Sequence, residues 1–170
     1  MWKDFSGRDF SRAAFADHVQ SLRWTTWKPK GICLHNTGAP TLAQWVESGP
    51  KHTARIRNLQ AYYEGLGWHA GPAAFISRDH ITEFSGFTAP GVHSRCFNAT
   101  HIGIECVGDY SVEEWDSGNG ALVRDNAVFA MALLYKKLGL SPDSLVFHKE
   151  CTRDNHDCPG KKVVKTDVIE

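Results

Sequence analysis

Leu145-Val146-Phe147-His148-Lys149-Glu150-Cys151-Thr152-Arg153-Asp154-Asn155-His156-Asp157-Cys158-Pro159-Gly160 is the stretch from which this chain can be read. Three apolar residues make a short strand, which delivers His148 into a polar loop with a second histidine, two cysteines and a Pro-Gly stop. A strand that hands a histidine to an irregular polar loop marks the edge of a site, not of a core. The loop holds more than one pair of metal-ligating side chains, and the partner that selects between them lies far upstream. That partner is His35, at the end of the apolar run Gly31-Ile32-Cys33-Leu34.

The segments between these two strands alternate in type. Residues 1–28 read as an N-terminal helical arm, with Asp9 or Ser11 as cap and Phe10, Ala13, Ala14, Phe15 and Val19 as an apolar stripe. Trp24, Trp27 and Pro29 lead into the first strand as packing residues. After His35-Asn36-Thr37-Gly38, Thr41 can cap a short helix carrying Leu42, Trp45 and Val46, which Gly49-Pro50 ends. A second helix is expected over 52–64, with Ile56, Leu59, Tyr62 and Tyr63 on one side and Arg55 and Arg57 outside. Ala73–Ser77 and Ile81–Phe84 read as two strands joined by a turn. Residues 85–100 are a long irregular segment, a length that points to function or mobility. His101–Val107 reads as a strand with Glu105 inside it. Leu122–Leu138 is the strongest helix, apolar at Leu122, Val123, Ala127, Ala130, Met131, Leu133, Leu134 and Leu138, with Lys136 and Lys137 at its C-terminal end and Gly139 as the stop. The expected fold is therefore a single α/β domain over 1–170, with a central mixed β-sheet flanked by helices and residues 29–170 as its motif-bearing core.

Bulk properties narrow the function. The 170 residues carry a formal net charge of +0, 42% hydrophobic residues and 22% charged ones, with a mean hydropathy of −0.35. Such a balance gives no reason to expect nucleic-acid capture or membrane insertion. Met1-Trp2-Lys3-Asp4-Phe5 lacks the apolar core of a signal peptide, so a cytoplasmic site of synthesis is expected. In that setting five cysteines read as reduced thiols or metal ligands rather than a disulfide framework. Cys33, Cys96 and Cys106 read as small buried hydrophobes beside strands.

A catalytic zinc site uses three protein ligands and an open fourth position. His35, His148 and Cys158 all fall at strand ends and fit that need. A closed structural site drawn from Cys33, His35 and the loop ligands, Cys151 included, is the competing arrangement, and a chain without any metal is a third. Glu105 stands between Ile104 and Cys106, whose side chains point to the opposite face, so its carboxylate can face a cleft. A carboxylate there costs desolvation unless it has a task or a partner.

His35-Asn36-Thr37, Gly67-Trp68-His69-Ala70-Gly71-Pro72, Gly91-Val92-His93-Ser94, Ile102-Gly103-Ile104-Glu105 and His148…Cys158-Pro159-Gly160 occur in this order in the chain. In that set, from about residue 28 to the C-terminus, the sequence resembles the zinc-dependent N-acetylmuramoyl-L-alanine amidases. That type is shared by phage endolysins, bacterial cell-wall recycling amidases and peptidoglycan recognition proteins. The resemblance implies one Zn2+ per chain on His35, His148 and Cys158, activating water to cut the amide between N-acetylmuramic acid and L-alanine. Recycling-type members carry a Glu at the position of Glu105. Other members use a Tyr on an earlier strand, where this chain reads Gly71-Pro72-Ala73-Ala74, so Glu105 is the expected proton carrier. The family's oxyanion-stabilising Lys, two residues before the last ligand, is replaced here by His156. Either His156 does its work, or Lys149, Arg153 or Lys161 assists. His93, Ser94 and Trp68 match substrate-side positions, whereas His18, His52, His80 and His101 read as surface or satisfied structural histidines.

The expected protein is a monomeric phage or prophage endolysin that acts on peptidoglycan or muropeptides. It would wait in the host bacterial cytoplasm and reach periplasmic peptidoglycan once the membrane is permeabilised. A cytoplasmic muropeptide-recycling amidase fits the same residues, and a non-catalytic peptidoglycan-binding module is the alternative from another class.

Overall fold

The computed structural model describes Trp2 and residues 6–170; most of the N-terminal pentapeptide read above for a leader lies outside the described residues. In chain order the elements are β1 (Arg8–Phe10), α1 (Arg12–Ser21), β2 (Gly31–Asn36), α2 (Gly49–Gly65), β3 (Ala74–Ile76), β4 (Ile81–Glu83), β5 (His101–Cys106), α3 (Gly118–Leu138), β6 (Val146–Phe147) and α4 (Lys165–Ile169). The six strands form one sheet in the order β1-β4-β3-β5-β2-β6. β2 and β5 pair in parallel along their whole length, with His35 opposite Glu105. β6 extends the parallel set beyond β2, and β3 extends it beyond β5. β4 and β1 finish the other edge as antiparallel strands. The sheet is mixed and helix-flanked, as expected.

Its two faces differ in chemistry. Ile32, Leu34, Ala74, Ile76, Ile102, Ile104 and Cys106 share the larger core with Phe15 and Val19 of α1 and with Val123, Ala127, Ala130, Met131 and Leu134 of α3. Each fully buried Leu, Ile or Val contributes roughly 1.5–3 kcal/mol, so docking on the sheet, more than helix propensity, holds α1 and α3 in place. The other face carries Phe75 in a smaller cluster with Trp45, Ile56, Phe84 and Val107. Because register partners point to the same side, Phe75, Glu105 and His35 lie on this second face. Half of the face is sealed by apolar side chains, and half is polar.

Several local expectations change. Gly49-Pro50 opens α2 instead of closing a helix before it, since a proline in the first helical turn lacks only an N–H that would have no partner within the helix anyway. Residues 42–44 make a turn in which the N–H groups of Gln44 and Trp45 donate to the Thr41 carbonyl, not a helix. The N-terminal arm contributes a strand as well as a helix: β1 had no readable pattern because only Phe10 of its three residues is buried. Ser11 caps α1 by accepting from the Ala14 N–H, so the Ser11 alternative holds. In α3, Leu122 is exposed while Asn126 is buried, its amide donating to the carbonyls of Ser77 and Arg78. Gly120 is required where α3 begins, as an added Cβ would lie 1.7 Å from the Glu114 carbonyl oxygen. Cys96 and Cys151 form a disulfide, correcting the reading of all five cysteines as thiols or ligands; Cys33, Cys106 and Cys158 stay free.

Candidate metal centre

The polar half of the second face is built from three places in the chain. β2 ends with His35. β6 ends one residue before His148, which opens a single 3-10 turn over His148–Glu150. The loop then returns Cys158 to β2, where the Asn36 N–H donates to Cys158 Sγ at 3.2 Å, and the Lys149 N–H holds the Cys158 carbonyl at 2.8 Å. Ligand atoms of His35, His148 and Cys158 all lie within 4.8 Å of one another, and all three residues are buried. Cys33, His35 and His93 form a second group of the same compactness. The two groups differ in access: His35, His148 and Cys158 line a cavity of about 190 Å³ and Cys33 does not. Two imidazoles and a thiol, one of them receiving a backbone N–H, suit zinc.

Among the described residues Glu105 is the only acidic one lining this cavity, which it shares with His35, Tyr63, Trp68, His93, His148, His156 and Cys158. It is 8% exposed, and no hydrogen bond or ion pair among the described residues holds its carboxylate. Burial alone pushes its pKa up to about 8. Burial also lowers His35 well below the usual imidazole value, reinforced by His93, His148 and His156 around it. His93 falls to about 4 for the same reason, although the His101 carbonyl works against the shift. His148 is lowered too, mainly by burial, so His35, His93 and His148 are held neutral, the form that ligates a metal. Burial raises the Cys158 thiol, and only the Asn36 N–H pulls it down, so its thiolate needs a cation nearby.

The other expected site residues are placed as follows. His156 lies on the cavity rim, its ring stacked on that of His148 at 4.5 Å between centroids. Lys149 instead sits over the Phe147 ring, and neither it nor Lys161 lines the cavity. Arg153 lines an adjoining cleft of about 540 Å³, which also includes Trp68, His93, Ser94, Asp154 and His156. Trp68 stacks flat on Tyr63, 5.0 Å apart, and forms a wall common to cavity and cleft. Ser94 donates to Asp154 at 3.3 Å, and His93 is engaged by His35 at 3.0 Å, so both are tied into the scaffold of the site. Of the four histidines set aside, His52 is buried between the Val46 carbonyl and Asp9, and His80 meets Glu47. His18 meets Arg8 and Glu83, and His101 meets Thr100.

Sequence reasoning missed Asp154 and Tyr63. Asp154 accepts from His148 Nε2 at 3.0 Å and from the Arg95 N–H at 3.0 Å, and burial's upward push on its pKa is outweighed by these bonds. Its position six residues after His148 in a polar loop was the available signal. Tyr63 read only as part of a helix stripe. Burial and the nearby Glu105 raise its phenol well above the usual value.

The family model described as N-acetylmuramoyl-L-alanine amidase matches residues 25–161, a span that contains every residue of this cluster. The chain belongs to that amidase family. Solved structures of the same fold include Drosophila PGRP-LB, with a TM-score of 0.69 at 21% identity over 96% of this chain and 93% of that one. A mutant of that protein in complex with tracheal cytotoxin gives 0.67 at 21% identity, covering 91% and 89%. The N-acetylmuramoyl-L-alanine amidase LysC from Clostridium intestinale URNW gives 0.65 at 19% identity, covering 87% and 91%. No curated protein sequence matches this amidase-family chain significantly.

Proposed function

We propose that this amidase-family protein hydrolyses the amide between N-acetylmuramic acid and L-alanine in peptidoglycan, with zinc on His35, His148 and Cys158, as an endolysin. The observation that carries the reading is an unpaired, buried carboxyl, Glu105, sharing one cavity with a compact His-His-Cys group. A zinc ion held there would supply Lewis-acid activation of water and of the scissile carbonyl. Glu105 takes the proton of the attacking water and returns it to the departing amine of L-alanine, a cycle suited to a carboxyl whose pKa lies near the working pH. His156, on the rim, donates to the oxyanion that the carbonyl oxygen becomes when water adds to the carbon. Trp68 closes one wall, and the adjoining cleft of about 540 Å³ has room for a sugar and the first residues of a stem peptide. The endolysin role draws support from the structural likeness to the Clostridium intestinale amidases, one of which, LysCS, is an endolysin. In that role the enzyme would wait in the host cytoplasm until the membrane is breached.

The test is digestion of purified sacculi by the protein with and without chelator. New L-alanine amino termini that vanish on chelation and return with zinc support the reading; release of reducing sugar ends would mean glycosidase chemistry and overturn it. Binding to sacculi with no cleavage at any zinc concentration assigns a recognition role instead. Turnover of soluble anhydro-muropeptides but not of sacculi removes the endolysin half of the proposal.

A further inference from the structure

We propose that His93 is a positioning residue, which fixes the tautomer of His35 and thereby presents His35 Nδ1 as a bare lone pair to the metal. The inference rests on the metal-site reading above and concerns a residue expected from sequence to touch substrate.

The argument begins at a backbone carbonyl. His93 Nε2 lies 3.1 Å from the carbonyl oxygen of His101. A carbonyl only accepts, so the proton is on His93 Nε2. The ring is buried against His35 and has no carboxylate partner among the described residues, so it carries one proton only, and its Nδ1 is an acceptor. The atom facing that acceptor at 3.0 Å is His35 Nε2, which must then donate. His35 is left with its proton on Nε2 and its lone pair on Nδ1, the nitrogen nearer its own backbone. The adjacent Asn36 N–H already holds Cys158 Sγ on that side. His148 reaches the same state by another route, since its Nε2 lies 3.0 Å from Asp154 Oδ2 and donates to it. One ligand histidine is oriented by a carboxylate, the other by an imidazole that reads a carbonyl. Using an uncharged relay for His35 keeps a second carboxylate away from Glu105, whose like charge would disfavour ionisation of both.

The seat of His93 is specific. A Cβ added to Gly103 would stand 2.5 Å from His93 Cγ, so the ring lies against bare strand, and Gly103 is required there. Asn98 Oδ1 accepts from the N–H groups of both His93 and Ser94 at 2.7 Å, which fixes the backbone that carries the ring.

The experiment uses the full chain. Long-range 1H–15N spectra of the metal-free protein report each ring's tautomer directly, and the expected result is Nε2–H for both His93 and His35. Zinc affinity, read by chelator competition alongside thermal melts, is compared for the wild type, His93→Leu, His93→Asn and Cys33→Ala. His93→Leu is expected to weaken zinc binding about 10–100-fold. His93→Asn, whose amide oxygen can stand near the place of Nδ1, recovers most of it, and Cys33→Ala matches the wild type. Nδ1–H at His35 in the wild type overturns the proposal, as does a folded His93→Leu within twofold of wild-type affinity. Loss of zinc in both His93→Asn and Cys33→Ala also overturns it, by making His93 a ligand. A protein with the expected tautomers that binds no zinc would sink the metal-site reading and leave the relay standing.

Discussion

Glu105 shows how a single side chain ties stability to chemistry. Its carboxyl is neutral in the metal-free fold up to a pH of about 8, against 4.5 for the free group. Below pH 4.5 both folded and unfolded chains keep the proton, and burial costs nothing extra. As pH rises from 4.5 through about 8 the unfolded chain ionises first, so stability drains away across that window. In chelator-treated protein, Glu105→Gln is therefore expected to raise unfolding free energy by on the order of 3 kcal/mol at pH 7 and to leave it unchanged at pH 4, as denaturant melts at the two values would show. The same variant should lose about 10²–10⁴-fold in turnover on sacculi. A gain in stability equal at both pH values would mean that Glu105 is not held neutral. His156 offers a separate test at this scale: His156→Leu should lower kcat by about 10²–10³-fold with the melting temperature unchanged, and His156→Lys should restore most of it. Equal rates for all three would move oxyanion stabilisation to another group, with Arg95 and Arg153 the cationic side chains that line the adjoining cleft.

At the scale of elements, the segment from His93 to Asn98 and the loop from His148 to Cys158 are fastened to each other by Asp154 and by the Cys96–Cys151 disulfide, among other contacts. The bridged residues are 55 apart in sequence, so the cross-link restricts a long loop of the unfolded chain. The Cys96→Ser, Cys151→Ser double variant should lose up to about 4 kcal/mol of stability in oxidising buffer and melt like the wild type in strong reductant. A double variant as stable as the oxidised wild type would argue against the bridge. Neither fastening was legible in the sequence. Cys96 and Cys151 could be judged there only by their neighbours, and pairing is a property of two segments that the sheet brings together. Elements with periodic burial were legible: α3 ends at Gly139, which takes the left-handed conformation that glycine allows, and β3 and β4 pair as the hairpin-like spacing implied. β1 and the turn at 42–44 were not, because one buried residue or one hydrogen-bonded turn leaves no period to detect.

For the whole molecule, the decisive arrangement is one sheet with an apolar face and a divided face. Parallel pairing of β2 with β5 sets His35 opposite Glu105, and β6 beside β2 brings in His148. The three strand-end residues could be named from sequence because each followed an apolar run. Their order in the sheet, and with it the neutral His93 and the role of Asp154, depended on crossover connections that no local pattern encodes. The hydrophobic clusters on either face contain none of His35, His148 or Cys158. Two apolar clusters of that size pack the sheet by themselves, so the proposed zinc is expected to add stability without being required for folding, unlike the ion at the core of a small zinc domain. Chelation should leave the far-UV circular dichroism spectrum intact and lower the melting temperature. Free zinc at about 100 times its dissociation constant should add about 2.7 kcal/mol, rising with the logarithm of concentration. Loss of the spectrum on chelation at 25 °C would instead make the site structural. Its cavity beside Glu105 would then require another explanation, because a closed four-ligand site has no position left for water.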